Sequence, residues 1–260
     1  MAQLEIHQFP CLSDNYGVLL RDADAGVCAS IDAPDAAAVE AALKDKGWQL
    51  THILVTHHHW DHTQGCEALK AATKCTIIGP RGEADKVPGI DTKVGEGDTF
   101  AFGGFTVEVS ETPGHTAGHI IYHVPAAKAA FVGDTLFAMG CGRVIEGSMD
   151  DMWSGVEKVA KLPADTVLYC GHEYTVANAE FAMSVEPGNA ALQKRFMAMF
   201  PRLQSALITA AQCGAIRGYA FTISGLKRYR AKGGVATRWE RNWLTNHPVQ
   251  GSAAVVFKAA

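Results

Sequence analysis

The densest chemistry in the chain is the run Thr56-His57-His58-His59-Trp60-Asp61-His62, which contains His-x-His-x-Asp-His at His57, His59, Asp61 and His62. Imidazole nitrogen and carboxylate oxygen are the donors that zinc, iron or manganese accept where no thiolate is offered. Residues two apart in a strand-like stretch point the same way, so His57 and His59 can face one ion together. Asp61 and His62 follow as the chain turns into Thr63-Gln64-Gly65, and can reach a second ion beside the first. One ion takes three or four ligands, so this run cannot complete two sites alone.

Further donors stand later in the chain. Thr112-Pro113-Gly114-His115 ends a predicted strand in a Pro-Gly turn that presents His115. Phe131-Val132-Gly133-Asp134 ends another with a single acid, and Tyr169-Cys170-Gly171-His172 ends a third with His172. Each donor sits just past an apolar strand and beside a glycine, where polar groups from separate strands can converge on a rigid scaffold. A lone histidine is usually exposed or satisfied in a core, and that reading is kept for His7, His52, His123 and His247. His58 and His119 lie inside the motifs but off the ligand positions, and are assigned to packing or to support of the ligands.

Two divalent ions held ~3.5–4 Å apart can share a water and lower its pKa from ~15.7 toward ~7, which is the chemistry of hydrolysis. Asp61 and Asp134 would orient that water, and an ion would stabilise the oxyanion that develops on the attacked carbonyl. A side-chain nucleophile is the weaker alternative. Cys141 has no histidine placed by sequence to activate it, and Ser13, Ser110 and Ser148 lack a Gly-x-Ser-x-Gly setting.

The elements that must position these donors are short strands separated by turns. Gly17–Arg21, Val27–Ile31, His52–Thr56, Thr76–Gly79, Phe105–Glu111, Ile120–Val124, Ala130–Gly133 and Thr166–Cys170 have strand character. Gly103-Gly104, between Phe102 and Phe105, reads as a hairpin turn. Asp35–Lys46 and Asp150–Leu162 carry helical spacing, each opened by an acidic residue suited to a helix N-terminus. From Tyr174 the composition shifts to Ala, Met, Leu and Gln, predicting helices over Thr175–Val185 and Ala190–Gln212 with Glu186-Pro187-Gly188-Asn189 between them. This divides the chain into an α+β catalytic domain, residues 1–173, and a smaller C-terminal helical region, residues 174–260. In the tail, Gly225, Gly233, Gly234 and Pro248 interrupt any period.

Composition narrows the function classes. The chain has 260 residues, 48% hydrophobic content and a net charge of −4, which suits a soluble globular enzyme and argues against nucleic acid as a general partner. No apolar run approaches the ~20 residues of a membrane span, and the start of the chain lacks the features of a signal peptide. The 7 cysteines include no Cys-x-x-Cys pair, as expected of reduced thiols in a cytoplasmic protein. Charge is uneven: residues 205–260 hold 8 Lys/Arg against the single Glu240, out of 23 basic and 27 acidic residues in the chain. Such a tail can form a cationic wall beside an anionic ligand, or simply a solvated face.

Taken together, the motifs resemble the metallo-β-lactamase superfamily, and within it glyoxalase II (hydroxyacylglutathione hydrolase). The resemblance runs from Pro10-Cys11-Leu12-Ser13-Asp14-Asn15-Tyr16 to about Gln193. It implies an αββα sandwich with two metals at one edge. Zinc is the expected metal, with iron and manganese equally able to use the ligands. The resemblance puts His57, His59 and His115 on the first ion, Asp61, His62 and His172 on the second, and Asp134 on both.

The narrower likeness rests on Gly133-Asp134-Thr135-Leu136-Phe137, the loop Gly140-Cys141-Gly142-Arg143 with Glu146-Gly147, and Cys170-Gly171-His172-Glu173-Tyr174-Thr175. It implies hydrolysis of S-D-lactoylglutathione to glutathione and D-lactate, the second step of methylglyoxal detoxification. Relatives contact glutathione through a basic residue, an aromatic residue and a tyrosine; the corresponding positions are Arg143, Ile145 and Tyr174, so the aromatic is replaced by isoleucine. Lys227, Arg228 and Arg241 are the basic candidates near the C-terminus. The implied protein is a cytoplasmic monomer whose partner is a small glutathione thioester. Other readings are a lactone, β-lactam or phosphodiester hydrolase on the same scaffold, a one-iron persulfide dioxygenase, and a metal-binding module without activity.

Overall fold

The computed structural model describes residues 3–186, 188–191, 194, 219–221 and 227–229. It divides into two units, Met1–Asn178 and Ala179–Ala260. In the first unit a six-stranded sheet runs in chain order through β1 (Leu4–Cys11), β2 (Asn15–Asp22), β3 (Val27–Ile31), β4 (His52–Leu54), β5 (Thr76–Pro80) and β6 (Thr92–Val94). The first three strands pair antiparallel; β3 to β6 pair parallel. Parallel neighbours need a crossover, supplied by helix α1 (Ala36–Lys46) between β3 and β4, and by helices α2 (Trp60–Thr63) and α3 (Cys66–Thr73) between β4 and β5.

A second, five-stranded sheet contains β7 (Thr99–Phe102), β8 (Phe105–Glu111), β9 (Ile120–Val124) and β10 (Ala129–Gly133). After a small ribbon of β11 (Leu136–Phe137) and β12 (Gly140–Cys141), helix α4 (Met149–Ala160) leads into β13 (Val167–Cys170), which pairs parallel to β10. Helix α5 (Thr175–Val185) follows. The C-terminal unit also contains a two-stranded hairpin of β14 (Tyr219–Phe221) and β15 (Lys227–Tyr229), which a purely helical expectation for residues 174–260 leaves out.

The two-residue period of the strands sorts apolar side chains into three layers. Val18 and Leu20 of β2, Leu54 of β4 and Ile78 of β5 meet Val107, Tyr122 and Phe131 between the sheets. Leu19, Ile53 and Ile77, one residue out of phase, pack instead with Val39 and Leu43 of α1 and Leu69 of α3. On the other side, Ala130 and Val132 of β10 join Ile121 and Val159 of α4. Helix, sheet, sheet and helix therefore stack in that order, as the αββα expectation requires. Each fully buried Leu, Ile or Phe contributes roughly 1.5–3 kcal/mol relative to exposure, so the middle layer makes a rigid platform for the strand ends.

Several predicted boundaries moved, for local reasons. Strand β4 stops at Leu54 because the Thr56 amide donates to Asp32 Oδ1 at 2.7 Å rather than to a neighbouring strand. The opener of α4 is Ser148, whose side chain and Asp151 form a reciprocal capping box, where an acidic opener was expected. Helix α1 is capped by Asp35, which accepts from the Ala38 amide at 2.7 Å. Strand β1 escaped the sequence pattern because Pro10 interrupts it, and it is tolerated there because β1 pairs on one side only.

Candidate metal centre

The loops that leave the strand ends meet at one place. His57 and His59 lie on the segment after β4, and Asp61 and His62 on the short helix α2. His115 follows β8, Asp134 follows β10 and His172 follows β13. Backbone must come close to side chains here, and glycine permits it. A Cβ at Gly171 would stand 2.4 Å from Asp134 Oδ1 and 2.8 Å from His62 Cε1, and Gly133 takes a positive φ of 47° with its Cα facing Thr56 and His119.

The seven donors fall into three overlapping groups, one of which joins Asp134 to His57 and His62. The ring nitrogens of His57, His59 and His115 lie within 4.8 Å of one another, and so do the donor atoms of Asp61, His62 and His172. Within the first, His57 Nε2 faces His59 Nδ1 at 3.1 Å. Within the second, His62 Nε2 faces His172 Nε2 at 3.2 Å, and Asp61 Oδ2 lies 3.3 Å from His172 Nε2. Asp134 stands between them: Oδ2 is 3.2 Å from His115 Nε2 and 3.4 Å from His172 Nε2, and Oδ1 is 3.5 Å from His62 Nε2. The structure thus brings all seven sequence-predicted donors to one site.

The outward nitrogens of four of these rings are engaged. His62 Nδ1 donates to Asp32 Oδ2 at 2.8 Å, His172 Nδ1 to Asp14 Oδ1 at 2.8 Å, and His115 Nδ1 to the Arg143 carbonyl at 2.8 Å. Carboxylate and carbonyl oxygens only accept, so these Nδ1 atoms carry the hydrogen and the Nε2 atoms are left to face the centre. His57 Nδ1 lies 3.0 Å from Thr56 Oγ1, whose own hydrogen goes to Asp32 Oδ2 at 2.9 Å. Asn15 Nδ2 donates to Asp61 Oδ2 at 3.2 Å.

The arrangement fits a divalent cation. His115 Nε2 and Asp134 Oδ1 are buried without a hydrogen-bond partner, an unfavourable state that an ion would relieve. Electrostatics point the same way. Burial opposes charge on His172, but the carboxylates of Asp134 and Asp61 outweigh it and push its pKa up to about 10. Burial likewise opposes ionisation of Asp134, yet His62 and His115 hold it well below the ordinary carboxylate range. His57 goes the other way, pushed well down by burial and then by His62 and His119. A positive charge belongs among these acids, and a divalent ion would supply it. The mixed nitrogen and oxygen donors suit zinc, iron or manganese.

Comparison with known proteins gives the family. The metallo-beta-lactamase superfamily pattern matches residues 23–172. The chain is 56% identical over 204 residues to a protein of Brucella anthropi named hydroxyacylglutathione hydrolase, covering 78% of each chain. A protein of the same name from Rhizobium meliloti is 55% identical, over 75% of this chain and 76% of that one. Among solved structures, ETHE1 from Myxococcus xanthus superposes with a TM-score of 0.59 at 30% identity, over 65% of this chain and 76% of that chain. The chain belongs to the hydroxyacylglutathione hydrolases of the metallo-beta-lactamase superfamily.

The centre of this hydroxyacylglutathione hydrolase family member has a loop beside it, residues 140–147, that is tied to the His115 turn. The Ile145 and Gly147 amides donate to the Gly114 carbonyl at 3.2 and 3.3 Å, and the Ala117 amide donates to Glu146 Oε2 at 3.1 Å. The Arg143 side chain is exposed while its carbonyl holds His115, and Ile145 is exposed. Tyr174 stacks on the His172 ring at 4.8 Å between centroids, and its hydroxyl donates to Asp14 Oδ1 at 3.4 Å. Lys227 and Arg228 lie on β15 of the C-terminal unit; Arg241 lies outside the described residues.

Sequence reasoning missed the supporting shell: Asp14, Asn15, Asp32 and Glu83. Asp14 and Asn15 stood in a motif that carried only resemblance, and Asp32 had one signal, a non-glycine residue with a positive φ of 55°, visible only in the fold. His119 occupies a supporting position. Its Nε2 accepts from the Asp134 amide at 3.1 Å, and burial above all drives its pKa down to about 3.

Proposed function

We propose that this chain hydrolyses S-2-hydroxyacylglutathione thioesters, cutting S-D-lactoylglutathione to glutathione and D-lactate in the second step of methylglyoxal detoxification. The observation that carries the reading is the pair of donor groups meeting at Asp134 in a chain 56% identical to a hydroxyacylglutathione hydrolase. His57, His59 and His115 would hold one divalent ion, and Asp61, His62 and His172 a second. Asp134 would reach both, with zinc as the first choice of metal. Bound there, such ions would acidify a water and polarise the thioester carbonyl.

The remaining work falls to side chains of this protein. Asp61, itself held by Asn15, and Asp134 would orient the attacking water through their carboxylate oxygens. Tyr174, flat against His172, and Arg143, on the loop anchored to His115, would hold the glutathione moiety so that its binding energy aligns the thioester. Expulsion of the thiolate needs no general acid, because a thiol pKa near ~8.5 makes it a good leaving group. The same reading has the chain working as a cytoplasmic monomer.

The test is hydrolysis of S-D-lactoylglutathione, followed by loss of thioester absorbance, on protein of known metal content. Activity that rises with two metals per chain and vanishes with chelator is the expected result. Two bound metals without thioester turnover would overturn the substrate while leaving the centre, and would direct the search to lactones and β-lactams.

A further inference from the structure

Glu83 has no part in the proposed reaction, yet it is 2% exposed, and a buried carboxylate is costly unless hydrogen bonds compensate it. It lies in the short 3-10 segment Arg81–Lys86 after β5, at the one position where the backbone leaves helical values, with φ −138° and ψ 29°. Its side chain reaches two loops. Oε1 accepts from the His58 amide at 2.7 Å and the Thr116 hydroxyl at 3.2 Å, and Oε2 accepts from the Gly118 amide at 2.9 Å. His58 Nδ1 lies 3.1 Å from Oε1.

These bonds add a side-chain tie between two segments that one backbone bond already joins, the Ile120 amide donating to the Thr56 carbonyl at 2.9 Å. The His58 amide sits between His57 and His59; Thr116 and Gly118 follow His115 on the other loop. The approach also depends on Gly118, where a Cβ would stand 3.0 Å from the Glu83 amide nitrogen and 3.1 Å from its Cγ. We propose that Glu83 is a positioning residue that sets the distance between the His57–His59 loop and the His115 loop, so that three imidazoles stand ready before an ion arrives. A carboxylate suits this because its two oxygens can accept several bonds at once, whereas an amide must turn a donor toward one of the N–H groups. The inference rests on the reading that His57, His59 and His115 hold one ion.

The test is binding of Zn²⁺ to chelator-stripped protein, measured by competition with a chromophoric chelator, alongside thermal unfolding without metal. Glu83→Gln should weaken one of two Zn²⁺ affinities about 10–100-fold and leave the other in place, the usual effect of losing a residue that orients ligands. Glu83→Asp, which keeps both oxygens on a shorter arm, should fall between Gln and the unaltered chain. Unchanged affinities in folded Glu83→Gln would overturn the proposal, and so would equal loss at both sites with a lowered unfolding midpoint. If Glu83→Gln does not fold, Thr116→Val decides, since it removes a single bond: a smaller selective weakening supports the role and unchanged binding refutes it. His59→Ala separates the two levels. Loss of one ion in His59→Ala with both kept in Glu83→Gln defeats the positioning role alone, while two undisturbed ions in His59→Ala defeat the ligand reading beneath it.

Discussion

The two donor groups differ in what stands behind their imidazoles. In the second group, Asp32 and Asp14 carboxylates accept directly from His62 and His172. In the first, neutral oxygens do so: the Arg143 carbonyl behind His115, and the Thr56 hydroxyl behind His57. Charge-assisted bonds are roughly twice as strong as neutral ones, and a carboxylate behind an imidazole also raises its basicity. The second group further contains Asp61, whose own pKa is held below the ordinary range, with a hydrogen bond from His172 as the leading cause. One centre therefore has a charge-rich half and a half built mainly from burial and neutral dipoles. Asp32 links them, because it also accepts from Thr56, which in turn accepts from His57.

The largest effect expected is on the less charged half. His59→Ala removes one of its three imidazoles and should take turnover of S-D-lactoylglutathione to the background of metal-free protein, with bound metal measured in parallel. Full turnover in metal-depleted His59→Ala would sink the proposed mechanism. Asp32→Asn comes next, because it disturbs both halves: each of two Zn²⁺ affinities should fall, by about 10–100-fold in the chelator competition. Loss at one site only would show that the relay through Thr56 carries nothing.

A paired comparison separates the halves. Asp14→Asn should weaken one Zn²⁺ affinity about tenfold or more, as expected for removal of a charged acceptor. Thr56→Val should weaken the other by about fivefold, near the ~1 kcal/mol of a neutral bond. Equal losses would erase the distinction drawn between the two groups. Arg143→Ala should have the smallest effect on the centre, since its carbonyl is retained. We expect KM for the glutathione thioester to rise about tenfold with kcat held, as for loss of one charged hydrogen bond; an unchanged KM removes Arg143 from the substrate site.

Legibility in the sequence followed distance along the chain. Most strands could be read because strand character is a local property, whereas the faces of Val18-Leu19-Leu20, whose members go to opposite sides, were seen only in the fold. The seven donors could be singled out because four ligand-type residues within six positions, with His115, Asp134 and His172 each beside a glycine at a strand end, are rare and chemically specific. Helix α2 could not, because four residues are too few for a period. Asp14 could not either, being one acid among many and 158 positions from the ring that it orients.

What the sequence determined by itself is the order of strands and helices and a set of residues suited to a metal, which rest on residue types and short spacings; the family and its layered sandwich came through the resemblance of whole motifs. Which acid stands behind which imidazole, and how Glu83 ties two loops together, were decided by tertiary structure alone. The physical reason is that hydrogen bonds and ligand geometry depend on separations of about 3 Å. Contacts such as Glu83 to the His58 amide, 25 positions apart, exist only once the sheets have packed.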